Sequence, residues 1–212
     1  MSKSVLAALA IALTVSQAVP ALAQLPPGVY AGEHDYRLAG AGAYALDPDH
    51  TAVVAKVSHI GYSLSVFRFD KVTGTLTWNP AQPAAASLTV VVDTASISTP
   101  VAGFAAHLAG ADYLKSATFP QANFVSTQFH QIDAGHGRVD GQFTLMGKTV
   151  PLTFDVELVG AGKGFMGRPR IGAEATAQIH PQDFGMAPMF GPSIQLVIDA
   201  EFAQSRALDT GR

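Results

Sequence analysis

The sequence contains no cysteine. That absence excludes disulfides, thiolate catalysis, Cys-ligated zinc and iron–sulfur clusters. An exported chain without disulfides is held by packing and backbone pairing, which favours a large closed sheet over a small stapled scaffold. Charge is scarce too: 14% of residues are charged and the formal net charge is −3. This balance offers no electrostatic footprint for nucleic acid and no polybasic patch for a membrane surface. Beyond Ala23 no run reaches the roughly 20 apolar residues that a spanning helix needs, so no stable membrane insertion is expected. The signatures of several chemistries are missing as well. There is no Gly-x-Ser-x-Gly, no His-x-His and no pair of histidines at the i, i+4 spacing of a zincin. The glycines of Gly160–Gly167 lack the strand-to-helix setting and the Lys-Ser/Thr ending of a phosphate loop.

What is present begins with a leader. Lys3 supplies a short positive region, Val5 to Val15 is almost wholly apolar, and Ala21-Leu22-Ala23 is a small-x-small cleavage site. Those parts in that order predict a signal peptide at 1–23, export to the periplasm or beyond the cell, and Gln24 as the mature N-terminus. Residues 24–42, rich in Pro, Gly and Ala, read as an N-terminal arm ordered by docking. A single domain at 43–204 follows, with a short tail at 205–212.

Within that domain the dominant signal has period two. Val150, Leu152, Phe154, Val156 and Leu158 share one face, against Thr149, Thr153, Asp155 and Glu157. Ile194, Leu196, Ile198, Ala200 and Phe202 alternate with Gln195, Val197, Asp199 and Glu201, and Val139, Gly141, Phe143 and Leu145 repeat the pattern. This is how antiparallel strands with one wet and one dry face are written. Further strands are predicted at Tyr44–Leu46, Thr51–His59, Val72–Trp78, Leu88–Asp93, Ala122–Gln131 and Ile171–Ile179. Hairpin connections are predicted at Met146-Gly147-Lys148, at Asp133–Gly137 and, more loosely, at Gly160–Gly164. One helix is expected, capped by Thr99 with Pro100 at its first position and with Val101, Phe104, Ala105 and Leu108 on one face. Many strands with one helical excursion favour an all-β antiparallel barrel of about eight strands, because closure removes edges.

The polar residues make a weak case for catalysis. His59 shares the strand face of Thr51, Val53, Ala55 and Val57, where a hydrogen-bonded core role is the plainer reading. His136, between two glycines, reads as a solvated turn residue. The serines at Ser63, Ser65, Ser96, Ser98 and Ser126 fit strands and turns. Asp47/Asp49 and Asp155/Glu157 read as solubilising charge, not as a glycosidase pair. No catalytic residue, metal ligand or cofactor is assigned.

An ordered set of motifs resembles the YceI-like family of exported bacterial lipid-binding proteins. Tyr44-Ala-Leu46-Asp47-Pro-Asp49-His50-Thr51 is similar to that family's opening strand and turn, and His59 continues the match. Ser96-Ile97-Ser98-Thr99, His107-Leu108 and Asp112-Tyr113-Leu114 resemble its helical insertion. Phe119-Pro120-Gln-Ala-Asn-Phe124-Val-Ser126, the stretch Val139 to Pro151 and the stretch Ile179 to Met186 complete a series over nearly the whole mature chain. There are two departures. His180 stands where the family usually has Arg, and a Gly common early in the second strand region is replaced within Val66–Phe69. Loss of the Arg removes a permanent positive charge near Asp183-Phe184-Gly185, and a histidine there could make the local charge depend on pH.

The resemblance implies a lipocalin-like barrel whose interior holds a polyisoprenoid or another long-chain amphiphile for transport or storage, and no enzyme. The residues are compatible with it. Eight strands are about the fewest that enclose a ligand instead of filling themselves, and Ala173, Ala175 and Ala177 leave room on one face. Candidate ligand contacts are Val53, Val57, His59, Phe67, Phe143, Phe154, Ala175, Leu196 and Ile198. Phe184, Met186, Met189 and Phe190 join them from a Gly- and Pro-bearing segment that forms either a mouth loop or a hydrophobic plug. Two other readings stay open: a packed barrel serving as an interaction or stress-response protein, and a metal-dependent hydrolase using His50, His59, His107 or His180. Exposed edges or the mouth loop would be the route to a homodimer, though no heptad or other interface code specifies one.

Overall fold

The computed structural model describes residues 25–187 and 190–205, the side chain of Phe165 excepted. The predicted leader and most of the predicted tail therefore lie outside the described residues. The period-two segments form eleven strands: β1 (Gly42–Leu46), β2 (Ala52–His59), β3 (Ser63–Phe69), β4 (Val72–Trp78), β5 (Ser87–Asp93), β6 (Ile97–Ser98), β7 (Gln121–Gln131), β8 (His136–Leu145), β9 (Lys148–Gly162), β10 (Arg170–Ile179) and β11 (Ile194–Gln204). One helix, α1 (Phe104–Ala109), interrupts them.

All pairings are antiparallel, and the first six strands combine into three bent staves. β1 leads into β2, β3 into β4, and β5 into β6, so that β1–β4 and β2–β3 are two stretches of one seam. β11 pairs with both halves of the first stave, Tyr44 opposite Gln204 and Val53 opposite Ile198. From β5 the sheet passes through β7, β8, β9 and β10 back to β11. Eight staves thus close into an antiparallel barrel.

The bend between β1 and β2 is pinned by polar contacts. The Arg170 guanidinium donates to Asp47 Oδ2 at 2.7 Å and also to Glu201 Oε1. His50 Nδ1 lies 3.1 Å from Asp47 Oδ2, and the Thr51 hydroxyl donates to the Asp47 carbonyl at 2.8 Å. Burial opposes ionisation of Asp47, but hydrogen bonds from Arg170, His50 and the Asp49 N–H outweigh it and hold its carboxyl below the usual range. Asp47 is therefore a structural anchor and not the solubilising charge that the sequence suggested, because only tertiary folding brings Arg170 to it.

Several local expectations need correction. The helix starts at Phe104, with Gly103 in the left-handed region (φ 76) before it; Thr99-Pro100 does not cap it. Gly160–Gly162 belongs to β9 and not to a turn. The reason is close approach: a Cβ on Gly160 would sit 3.0 Å from the Gly32 Cα, where the N-terminal arm crosses β9 and Glu33 bridges Ala161. β3 and β6 were not assigned from sequence. β3 carries apolar residues on both faces and β6 is two residues long, so neither shows alternation. Tyr36, in the segment before β1, lies edge-on to Trp78 at 5.8 Å between ring centroids. The hairpin after β8 is as expected, with Met146 and Gly147 both left-handed (φ 51 and 74).

Candidate functional site

The dry faces of the staves do not fill the barrel. They enclose a cavity of about 310 Å³ lined almost wholly by apolar side chains, at the lower end of the roughly 300–1,000 Å³ of small-molecule sites. It owes its space to small residues facing large ones: Ala55 on β2 and Ala173 and Ala175 on β10 line it beside Phe67, Phe124 and Phe154.

Of the predicted contacts, Val53, Val57, Phe67, Phe143 and Phe154 line the cavity, as do Ala175, Leu196 and Ile198. Met186 and Phe190 line it from the β10–β11 connection. Two predicted contacts do not. Phe184 is only 2% exposed and packs edge-on against Phe143 at 5.5 Å, so it acts as a plug beneath the lining. His59 is exposed at the last position of β2, where the strand has run past the rim; it is neither a core histidine nor part of the lining. Met189 lies outside the described residues.

The two ends of the cavity differ in chemistry. One is shut by a relay of rings: Phe67 meets Phe104, Phe104 stacks on His107, His107 meets Tyr113, and Tyr113 meets Phe190, with centroids 6.2, 5.9, 4.7 and 5.5 Å apart. The opposite end, at the β7–β8 hairpin, is polar. His130, Asp133, His136 and Arg138 reach the lining there. Each has its own partner: His130 Nε2 lies 2.7 Å from Asp140, His136 Nδ1 2.9 Å from Asp133, and Arg138 Nε 3.3 Å from Asp155. The Gly135 N–H and then His136 hold the Asp133 carboxyl below its ordinary range; the Thr153 hydroxyl and then His130 do so for Asp140. The polar groups at this end are thus engaged with one another in local pairs.

Trp78, also on the lining, contributes an indole Nε1 that is buried and has no hydrogen-bond partner among the described residues. Leu76, Trp78, Val90 and Val92 also line the cavity; the sequence marks them weakly, because β5 is apolar at consecutive positions and Gly74 interrupts the dry face of β4. Tyr36, on a segment without period, gave no signal.

His50 pairs with Asp47, His107 with the Tyr113 hydroxyl at 3.2 Å, and His180 Nδ1 with the Pro192 carbonyl at 2.9 Å. Among the described residues no group of three His, Cys, Asp or Glu side chains is placed to hold a metal ion. His180 is exposed and absent from the cavity lining.

Comparison with known proteins gives a consistent picture. The YceI-like domain family matches residues 44–202. Protein YceI of Escherichia coli O157:H7 is 35% identical over 171 residues, covering 78% of this chain and 89% of that one. Among solved structures, BcnA of Burkholderia cenocepacia superposes with a TM-score of 0.66 at 21% identity, covering 74% of this chain and 98% of BcnA. A polyisoprenoid-binding domain from Saccharophagus degradans, implicated in plant cell wall breakdown, superposes with a TM-score of 0.57 at 14% identity, covering 76% and 98%. At those identities the two structures share the fold.

Proposed function

Because the chain belongs to the YceI-like family, we propose that it is an exported, non-enzymatic protein whose barrel holds one polyisoprenoid or other long-chain amphiphile, for storage or transport. The observation that carries the reading is the open apolar interior: the dry faces of the barrel leave a space where a folded core would be filled to crystal-like density. The name of the Saccharophagus degradans domain supports the ligand class.

The energetics favour a long chain over a short one. Each buried methylene contributes roughly 0.8 kcal/mol. Association costs an estimated 4–15 kcal/mol in lost freedom, so about twelve methylenes, worth roughly 10 kcal/mol, only begin to give useful affinity. With the lining almost wholly apolar and the polar groups at the β7–β8 end already paired with one another, chain length sets the affinity.

The test is organic extraction of the purified protein followed by mass spectrometry, beside the native mass of the intact protein. A stoichiometric polyprenyl or fatty-acyl species is the expected result. A protein that is empty and also refuses added isoprenoids would end the proposal and shift the weight to a packed-barrel interaction role.

A further inference from the structure

The β2–β3 hairpin brings together a strained backbone, exposed apolar side chains and a free strand edge. Ile60 holds a left-handed backbone (φ 55) although it is β-branched, a conformation that Gly or Asn adopts at much lower cost. Its side chain is 81% exposed and that of Tyr62 89%. Leu64, Val66 and Val101 extend the apolar surface, each more than half exposed. The strand also has a free edge. β6 pairs only with Arg68 and Phe69, which leaves Ser63 to Phe67 without a strand partner on that side among the described residues. Backbone strain, apolar exposure and an open edge at one place point to function.

Beside that edge runs a groove of about 630 Å³, bounded on its far side by Ser98 to Val101 and Phe104. Phe67 lines both this groove and the interior cavity, and Phe104 leans on it from the groove side. Between the cavity and the groove stands the Phe67 ring with Phe104 against it, beside a stretch of β3 that has no strand partner on that side among the described residues. Turning two rings opens the way between cavity and groove without breaking a ladder.

We propose that the β2–β3 hairpin docks on a lipid bilayer and that the Phe67–Phe104 seam is the lateral portal through which lipid passes between bilayer and barrel. The proposal rests on the lipid-holding reading above. Three features favour a bilayer as the occupant. The patch is a projecting hairpin, with its most exposed residues at the tip, so Ile60 can reach the acyl boundary while Tyr62 sits at headgroup depth. Charge is sparse: Lys56 lies across from Val66, and Arg68 is paired with Asp70 at 3.0 Å, so no anionic lipid is required. Water at headgroup depth also satisfies the free edge. A second copy or a foreign strand would pair that edge too, but it would fill the groove and seal the route to Phe67.

The experiment uses phosphatidylcholine vesicles, the purified protein and a double variant, Ile60→Asn with Tyr62→Ser. Neither residue lines the cavity, and Asn accepts the left-handed backbone, so the variant keeps its fold. Co-flotation measures docking, the rate of geranylgeraniol transfer from vesicles measures the portal, and uptake of geranylgeraniol from ethanol measures the cavity alone. The expected result is vesicle binding and transfer both reduced at least about tenfold in the variant, with unchanged uptake from ethanol. Equal flotation and equal transfer rates for the two proteins would overturn the proposal, as would self-association of the unaltered protein through this patch without vesicle binding. If the unaltered protein floats with vesicles yet takes up geranylgeraniol by neither route, the docking surface is supported and the lipid-holding reading falls.

Discussion

Replacing Ala175 by leucine makes an open barrel and a filled one behave oppositely. Ala175 stands on β10, pairs with Val156 and Ile198, and faces the cavity between Ala173 and Ala177. Leucine adds three carbons. If they enter open space, each removes apolar surface from water for roughly 0.8 kcal/mol, an upper bound of about 2.4 kcal/mol. In a filled core the same carbons would force neighbours off their rotamers at a cost of typically 1–3 kcal/mol. For a domain of this size, 1 kcal/mol moves Tm by roughly 2–4 °C. The cavity therefore predicts an unchanged or higher Tm for Ala175→Leu, by up to about 10 °C, together with weaker uptake of a long isoprenoid. Differential scanning calorimetry of delipidated protein, beside a titration with geranylgeraniol, reads both. A drop of several degrees with uptake unaltered would refute the reasoning, because it would mean that the interior is already full and the ligand lies elsewhere.

Other outcomes follow from single contacts. Gly141→Ala would place a Cβ 2.4 Å from the Phe124 ring and 2.5 Å from the Val125 carbonyl, so a loss of about 1–3 kcal/mol or more is expected in urea unfolding. Trp78→Phe discards a buried donor that has no partner among the described residues; because such an orphan costs about 1–3 kcal/mol, its removal should offset much of the lost indole area and leave stability within about 1 kcal/mol, against 3–5 for Trp78→Ala. Asp47 has a depressed pKa in the folded state, so its contribution is present above the ordinary carboxylate value near 3.8 and is lost as pH falls through the folded value. Asp47→Asn should flatten that acid limb in a pH series of thermal melts, while costing about 2 kcal/mol at neutral pH.

How much of this could be read in the sequence depends on where the information lies. β9, β10 and β11 each alternate cleanly over a long stretch, so their faces, and with them Phe154, Ala175, Leu196 and Ile198, were legible from spacing alone. β3 was not, because Leu64 and Val66 are apolar on the wet face and erase the alternation that Phe67 and Phe69 provide. The same feature that hid the strand makes its surface unusual. His59 shows the limit of a face argument: parity put it with Val53 and Val57, but parity does not say where a strand leaves the barrel. The pairing of Asp47 with Arg170 joins residues far apart in sequence, so no local pattern could announce it. The ring relay that shuts one end of the cavity is likewise assembled from separate segments: each of its five residues has a local reading, as strand face, helix face, family motif or mouth loop, but no spacing joins them.

The double pairing of β11 bears on how the chain reaches its folded state. Every other seam of the ring joins neighbours along the sequence, and such seams can zip as the chain emerges. The final one joins Tyr44 to Gln204 and Val53 to Ile198, contacts of very high sequence separation whose loop-closure entropy must be met all at once. Until β11 docks, the first stave and β10 each present a bare edge, the template on which chains aggregate. The slow step and the hazardous interval of folding should therefore coincide. A chaperone or a lipid that shortens that interval would raise yield without altering the stability of the finished barrel.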